Sequence, residues 1–335
     1  MHRSHYSFHG SWIIGLLFSG ATLAGPAGAV EEGGLSRFSP DDVFELEWAA
    51  DPQVAPDGAS VVYVRMAMDR QTDRRVGSLW LHELDSGSHE PLVTCPGSCA
   101  SPRFSPDGGR IAYLSTGPEG PALMVRYLQS GRSFRVADLD AAPRELAWSP
   151  DGAHLAFTLF VPGEPLRLAE RSARKPEGAD WAPPVKVIDE LVFRFDGRGY
   201  LKKGASHVHV VPAEGGTPRA LTDGPNDFRS PTWAPDGRTL YVVGNDVPDP
   251  ELDPRESEIY AVDVETGERS ALTERDGPDA SPVVSPDGRR LAWLGFDDRR
   301  VSYQERELRV RDLSTGATRD LTLGFDHGLS SPAWT

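Results

Sequence analysis

The sequence lacks a long hydrophobic run, an excess of basic residues and a heptad pattern, and each shortage excludes a class of protein. Its apolar run Trp12–Ala24 holds 13 residues with two glycines, whereas a transmembrane helix needs about 20. The 35 Lys and Arg are outnumbered by 50 Asp and Glu, so a nucleic-acid-binding face is not expected. Without a heptad run, a coiled coil is excluded as well.

The apolar run itself fits an export signal. Arg3 precedes it and Ala27-Gly28-Ala29 follows it with the small residues that a signal peptidase reads. We therefore predict a signal peptide at residues 1–29, no stable membrane anchor, and a periplasmic or extracellular mature chain. Residues 30–50 form an N-terminal segment in which Ser39-Pro40-Asp41-Asp42 has the caps of a short helix.

Only two cysteines are present, Cys95 and Cys99, on either side of Pro96-Gly97-Ser98. In an oxidising compartment they are candidates for a local disulfide, and otherwise for two free thiols. A zinc site wants four ligands, and no other Cys or His lies near them in the sequence. We therefore expect no metal here.

The 34 glycines and 29 prolines are far too many for a helical protein, and many belong to an internal repeat. The octet Ser101-Pro102-Arg103-Phe104-Ser105-Pro106-Asp107-Gly108 recurs from Ser230 and from Ser281, more loosely from Asp51 and Glu145, and in a degenerate form as Phe195-Asp196-Gly197. The repeated aspartates are 50, 44, 45, 40 and 51 residues apart. A period of this length indicates stacked supersecondary units.

The end of each octet predicts a tight turn between two strands, since Pro fixes φ, Asp bonds the backbone and Gly allows a positive φ. The predicted turn residues are Asp57, Gly58, Asp107, Gly108, Asp151, Gly152, Asp236, Gly237, Asp287 and Gly288. A second turn, ending at a later Gly, closes each unit. Four short antiparallel strands at this period describe a β-propeller blade, and a β-sandwich would not need the same octet.

We therefore predict an all-β protein whose residues 51–335 form a β-propeller of four-stranded antiparallel blades. Six blades are expected, and Ser331-Pro332-Ala333-Trp334-Thr335 matches the start of a seventh, so the propeller is expected to be incomplete at residue 335. Charged, Pro-rich residues from Pro162 to Pro184 are expected to form an insertion on one rim.

Three groups of side chains are candidates for chemistry outside the turns. Arg194, Asp196, Arg198 and Tyr200 alternate, so they share one strand face and are candidates for lining a substrate channel or, equally, for an exposed outer strand. His207 and His209 also share a face, but no third ligand completes a metal site. The acidic segment 245–258 lacks the order of a calcium loop. No metal or cofactor is expected.

The leader, the short helix, Asp51-Pro52-Gln53-Val54-Ala55-Pro56-Asp57-Gly58 and the repeated Ser-Pro-Asp-Gly resemble the propeller of the prolyl oligopeptidase family of serine peptidases. The stretch from Val187 to Tyr200, followed by His207-Val208-His209-Val210-Val211 and Ala220-Leu221-Thr222, is similar to its acylaminoacyl-peptidase and dipeptidyl-peptidase branch. The likeness covers about residues 36 to 335.

The resemblance implies that the propeller gates access of short peptides to a following α/β-hydrolase domain that carries a Ser, Asp and His triad. No Gly-x-Ser-x-Gly elbow occurs in these residues, so no catalytic residue is assigned, and the chain is expected to be truncated before that domain. Peptide is the expected partner, through the hydrolase domain. The alternative is a non-catalytic periplasmic propeller that binds a protein or peptide, because Tol-type propellers use the same octet.

The leader generates a first prediction. Export should remove residues 1–29, so mass spectrometry of the secreted protein should find Val30 at its amino terminus. Recovery of the chain from a membrane fraction with its leader attached would contradict the assignment.

Overall fold

The computed structural model describes residues 38–164, 166, 175–182 and 185–334. The predicted signal peptide lies outside these residues. A 3-10 helix, Pro40–Glu45, stands where the short helix is expected. The residues from Asp41 onwards form one compact unit. In the described part of the chain, no helix has the length and apolar character needed to cross a membrane.

Strands dominate this unit and pair in five four-stranded antiparallel sheets, numbered here along the chain. Sheet 1 consists of β1 (Glu47–Val54), β2 (Ser60–Asp69), β3 (Arg74–Glu83) and β4 (His89–Val93). Sheet 2 consists of β5 (Ser98–Phe104), β6 (Arg110–Thr116), β7 (Ala122–Tyr127) and β8 (Ser133–Asp138). Sheet 3 begins with β9 (Arg144–Trp148) and β10 (His154–Pro162).

An insertion then carries a two-stranded hairpin, β11 (Arg194–Phe195) and β12 (Gly199–Tyr200), before sheet 3 is completed by β13 (Gly204–Pro212) and β14 (Arg219–Ala220). Sheet 4 consists of β15 (Phe228–Trp233), β16 (Thr239–Gly244), β17 (Glu258–Asp263) and β18 (Arg269–Ala271). Sheet 5 consists of β19 (Asp279–Val284), β20 (Arg290–Gly295), β21 (Glu307–Asp312) and β22 (Thr318–Asp320).

The all-β propeller class and the four-stranded antiparallel unit are confirmed, but the number of blades is corrected. The described residues form five four-stranded sheets rather than six. The degenerate copy Phe195-Asp196-Gly197 lies in the two-stranded hairpin of the insertion and begins no four-stranded sheet. The insertion also runs beyond Pro184, because β10 and β13 pair continuously up to Pro162 opposite Gly204.

The end of each octet forms a β-turn. In sheet 2 the Gly108 N–H donates to the Ser105 carbonyl oxygen at 2.9 Å, and the Asp107 carboxylate accepts from the Gly109 N–H at 3.1 Å. Glycine is required because the turn ends in the left-handed region, with φ between 67° and 74° at Gly58, Gly108, Gly152, Gly237 and Gly288. The turn chemistry is therefore local and repeats from sheet to sheet.

The hydrophobic core lies between consecutive sheets. Alternation along β10 sends Leu155 and Phe157 into a cluster with sheet 2, and Ala156 into a cluster with sheet 4. Two further clusters join sheets 1 and 2 and sheets 4 and 5. The first strands β1, β5, β9, β15 and β19 contact one another in order, so they are the innermost strands of the propeller.

A recurrent hydrogen bond fastens these inner strands. The Trp148 indole N–H donates to the Arg103 carbonyl oxygen at 2.9 Å, and the Trp233 indole to that of Ala147 at 3.3 Å. Trp334 repeats the contact with Val283 at 3.0 Å. Each bond joins the fourth residue of one octet to the third residue of the octet in the preceding sheet.

The turn geometry predicts the effect of a side chain at Gly237. Gly237→Val should lower the free energy of unfolding by about 1–2 kcal/mol, because a β-branched residue is strained at positive φ. Steric crowding is not the cause, since no atom of the described residues lies within 4 Å of an added Cβ at Gly237. The measurement is equilibrium unfolding in urea.

Gly109→Val is the matched control, because Gly109 lacks a positive φ and its added Cβ would meet only ordinary contacts at 3.6 Å or more. It should leave stability nearly unchanged. Equal losses in the two variants would refute the left-handed turn as the cause.

Candidate functional site

The antiparallel order of each sheet gives the propeller two different ends. The turns between first and second strands and between third and fourth strands lie at one end, called here the turn end. The second-to-third connections and the crossings between sheets lie at the other, called the loop end. The longest connections, residues 163–203 and 245–257, are both at the loop end. Binding residues concentrate on such loops, so the loop end is the candidate site.

The four channel candidates lie in the hairpin at the loop end. Arg194 pairs with Tyr200 across β11 and β12, and Asp196 and Arg198 lie in the turn between them. The expectation that all four alternate along one strand is therefore wrong. All four are exposed, and the Lys186 ammonium lies over the Tyr200 ring, 3.7 Å from its centroid. Their contact with a substrate stays a prediction.

A cavity of about 250 Å³ separates this insertion from sheets 3 and 4. The insertion contributes Val192, and the loop of residues 245–257 contributes Asn245, Glu251 and Glu256. The Leu191 N–H donates to the Glu251 carboxylate at 2.9 Å, which ties the insertion to the sheet 4 loop. The cavity thus has walls from two separate long loops.

The inner strands carry an unusual backbone feature at the first octet position. Asp51, Ser101, Glu145, Ser230, Ser281 and Ser331 all have φ between 47° and 57°. In each of the five sheets the register between the first two strands shifts at this point, as a β-bulge does. Left-handed backbone at residues other than glycine stores strain, and such strain is typical of functional sites.

Glu145 connects two of these bulges. Its carboxylate accepts from the Ser230 N–H at 2.7 Å, from the Ser230 hydroxyl at 3.1 Å and from the Thr158 hydroxyl at 2.7 Å. The inner strands of sheets 3 and 4 are thereby clamped together at the loop end. Sequence reasoning missed this role, although the first position of the octet was visible as a repeated Ser, Asp or Glu.

A group of carboxylates lies between sheets 4 and 5 at the same end. Burial raises the pKa of Glu258 to about 7, and the negative charges of Asp279 and Glu256 add to it. Burial likewise raises the pKa of Glu256. The Asp279 side chain is fully buried and bonds Arg275 at 2.6 Å, while a second Asp279 oxygen has no hydrogen-bond partner among the described residues. These acids share a region of low dielectric.

A group of three carboxylates and a pair of histidines are the two candidates for binding a metal ion. Ligand atoms of Asp253, Glu256 and Asp276 lie within 4.8 Å of one another, so these three carboxylates could hold a cation. The third comes from outside the acidic segment 245–258. His207 and His209 are both buried, and burial lowers the pKa of each. His209 Nδ1 lies 3.0 Å from the His207 carbonyl oxygen, so that nitrogen has a backbone contact.

The two cysteines lie at the crossing from sheet 1 to sheet 2. A disulfide joins Cys95 to Cys99, and the Gly97 N–H between them donates to the Thr116 carbonyl oxygen at 2.9 Å. The loop is therefore pinned both to itself and to the neighbouring strand of sheet 2.

Comparison with known proteins gives a family model and several relatives. Residues 196–293 match the model described as the dipeptidyl peptidase IV N-terminal region. Dipeptidyl-peptidase 5 of Porphyromonas gingivalis is 22% identical over 94% of this chain and 47% of its own length. An uncharacterized peptidase of Bacillus subtilis, YuxL, is 28% identical over 61% of this chain and 31% of its own. The chain thus spans 31% to 47% of the length of these relatives.

Solved structures support the fold. Pyrococcus horikoshii acylaminoacyl peptidase superposes with a TM-score of 0.63 at 18% identity, over 86% of this chain and 42% of that one. The propeller domain of the trilobed protease from Pyrococcus furiosus gives 0.55 at 17% identity, over 85% and 73%. The matches to the dipeptidyl peptidase IV N-terminal region and to dipeptidyl-peptidase 5 confirm the predicted resemblance to the propeller region of prolyl-oligopeptidase-family peptidases, and the solved structures confirm its fold. A TolB protein of the Tol-Pal system, from Alcanivorax borkumensis, is 36% identical over 77 residues, 23% of this chain.

The buried carboxylates predict a pH dependence of stability. Folded Glu258 keeps its proton to a pH of about 7, above its ordinary value of 4.5. Between pH 4.5 and about 7 the folded state therefore binds more protons than the unfolded state. The free energy of unfolding falls as pH rises through this range. Glu258→Gln retains an acceptor oxygen but cannot ionise. It should match the parent protein near pH 5 and exceed it by about 1–2 kcal/mol at pH 8.

Urea unfolding at the two pH values measures this difference. Glu265→Gln, at an exposed residue of the turn end, is the control and should behave like the parent protein at both. A parent protein and Glu258→Gln variant with parallel pH profiles would show that Glu258 ionises normally.

Proposed function

We propose that this propeller is the substrate-gating domain of an exported serine peptidase of the prolyl oligopeptidase family that acts on short peptides. The observation that carries the proposal is the likeness to dipeptidyl-peptidase 5 over 94% of this chain but only 47% of that protein. Catalysis is assigned to an α/β-hydrolase domain outside these residues. The propeller's part is to select by size which peptides arrive there.

The loop end is the part of the propeller suited to that selection. The insertion and the loop 245–257 line one cavity together with Arg229 of the inner strand β15. The exposed apolar side chains of these two loops include Val192, Phe193, Phe195 and Leu252. Peptides bind such surfaces through apolar contact and a few polar groups. The rigid part is the sheet underneath, where Glu145 clamps sheets 3 and 4. Loops with charged and apolar side chains on a rigid base would favour short, extended chains.

A second function, binding of a protein or peptide partner without catalysis, is favoured by one observation. The match to the TolB protein is the higher in identity, 36%, although it covers only 23% of this chain. The two functions differ in an observable way, because only the peptidase consumes its ligand.

The test uses the polypeptide as its gene encodes it and a series of peptides from 4 to about 30 residues, a span chosen because size selection must be visible as a rate difference. Gating predicts that kcat/KM falls with peptide length and that a serine-directed phosphonate abolishes cleavage. The Leu201 N–H bonds the Phe193 carbonyl oxygen at 2.8 Å. Residues 194–200 can therefore be replaced by a two-residue turn with little change at the base of the hairpin.

Removing the hairpin in this way should raise kcat/KM for the longest peptides by on the order of tenfold, which corresponds to about 1.4 kcal/mol of barrier. Cleavage of a dipeptidyl ester, which needs no gate, should be unchanged and serves as the control. Cleavage that is independent of length in both proteins would reject gating. Retention of an intact peptide or protein partner with no hydrolysis would favour the second function.

A further inference from the structure

Two arginines break the repeat at one position of the inner strands. The residue just before the left-handed octet position is Ala50, Ala100 and Ala280 in sheets 1, 2 and 5. In sheets 3 and 4 it is Arg144 and Arg229. The backbone is the same in all five sheets, so the turn and bulge geometry does not demand a long basic side chain here. The substitution of alanine by arginine in two adjacent sheets needs another reason.

The geometry brings these arginines side by side. Arg144 precedes Glu145, Arg229 precedes Ser230, and the Glu145 carboxylate lies 2.7 Å from the Ser230 nitrogen. β9 and β15 are neighbouring inner strands, and both residues lie where those strands begin, at the loop end. Two arginines therefore occupy corresponding positions on neighbouring inner strands at the loop end.

Neither arginine is ion-paired among the residues that the structure describes. Both side chains are exposed. Glu145 follows Arg144 directly, but its carboxylate accepts from Ser230 and Thr158 and forms no ion pair with Arg144 or Arg229. By contrast, Arg103 of sheet 2 is held by Asp51 of sheet 1 at 2.8 Å. What distinguishes Arg144 and Arg229 from other exposed arginines is their common position on two neighbouring inner strands, where the other sheets have alanine.

The adjoining cavity supports the same conclusion. Arg229 is the one basic residue among the described residues that line the 250 Å³ cavity. Three carboxylates line the same cavity, and each accepts from a backbone N–H: Asp227 from Ser206 at 2.6 Å, Glu251 from Leu191 at 2.9 Å and Glu256 from Gly277 at 2.9 Å. Among the described residues the Arg229 guanidinium has no hydrogen-bond partner. A guanidinium prefers a carboxylate that it can bind through two parallel hydrogen bonds.

We infer that Arg144 and Arg229 together bind a carboxylate of the peptide at the loop end and so make the propeller selective for acidic peptides. The inference rests on the proposed function for its peptide ligand. The carboxylate is either a Glu or Asp side chain or the peptide's own carboxyl terminus. The arginines are specificity-determining residues and take no part in bond cleavage.

The experiment compares three octapeptides with the polypeptide as its gene encodes it. One contains three glutamates and a free carboxyl terminus, the second has glutamines in their place, and the third keeps the glutamates but has an amidated terminus. Binding is measured by calorimetry and cleavage by mass spectrometry. The parent protein should prefer the first peptide over the second or the third by about tenfold, as expected for a charge-assisted hydrogen bond.

The double variant R144A/R229A should lose this preference, and R144K/R229K should retain part of it because the charge remains. Arg289→Ala removes an equally exposed arginine at the turn end and should retain all of it. The effect should weaken at high salt. A loss confined to the glutamine peptide assigns the side chain as the ligand, and one confined to the amidated peptide assigns the terminus.

The two proposals fail in different ways. If all three peptides are bound equally, or if the double variant keeps the preference, the arginine inference is wrong whether or not cleavage occurs. If none is cleaved but the acidic peptide still binds through the arginine pair, the peptidase function is rejected and the carboxylate site stands.

Discussion

Contact between neighbouring sheets is the interaction on which the rest of this structure depends. A four-stranded sheet of this size has two apolar faces and cannot bury either alone, so each face is covered by the next sheet. Alternation of large and small residues, as at Leu155, Ala156 and Phe157, fits one face to each neighbour. The indole of Trp148 or Trp233 adds a directed hydrogen bond to the preceding inner strand. This packing sets the orientation of the inner strands and therefore of the side chains and loops that they carry.

Much of the fold could be read from the sequence because its signals are local. Pro-Asp-Gly dictates a turn through its own backbone chemistry, and alternating apolar residues dictate strands with two buried faces. The same locality explains the error in the number of blades. Phe195-Asp196-Gly197 has the turn chemistry, but a turn does not reveal whether the strands beside it join a large sheet or close a small hairpin.

The candidate site was harder to predict because its members meet only through tertiary contacts. Glu145 and Ser230 are far apart in the sequence, and their left-handed backbone is imposed by the bulge rather than by their own preferences. Glu258 and Asp279 come from different sheets. The pKa of Glu258 is raised to about 7 because Glu258 is buried, with the charge of Asp279 nearby. The pattern of residue types along the chain does not reveal such tertiary contacts. An alignment of the octets does show one signal for the site, because Arg144 and Arg229 stand where three other copies have alanine.

The continuous pairing of β10 with β13 has a consequence for how such a protein can change over time. His154 to Pro162 pair with Pro212 to Gly204 without a shift, so the ends of the long insertion are already held together by the sheet. The entropy lost on closing a loop grows only with the logarithm of its length once its ends are fixed. The loop end can thus gain or exchange segments at small thermodynamic cost while the turn end stays constant. The paired strands hold the ends of any segment inserted between them. New ligand preferences can therefore be acquired by loop replacement while the core stays the same.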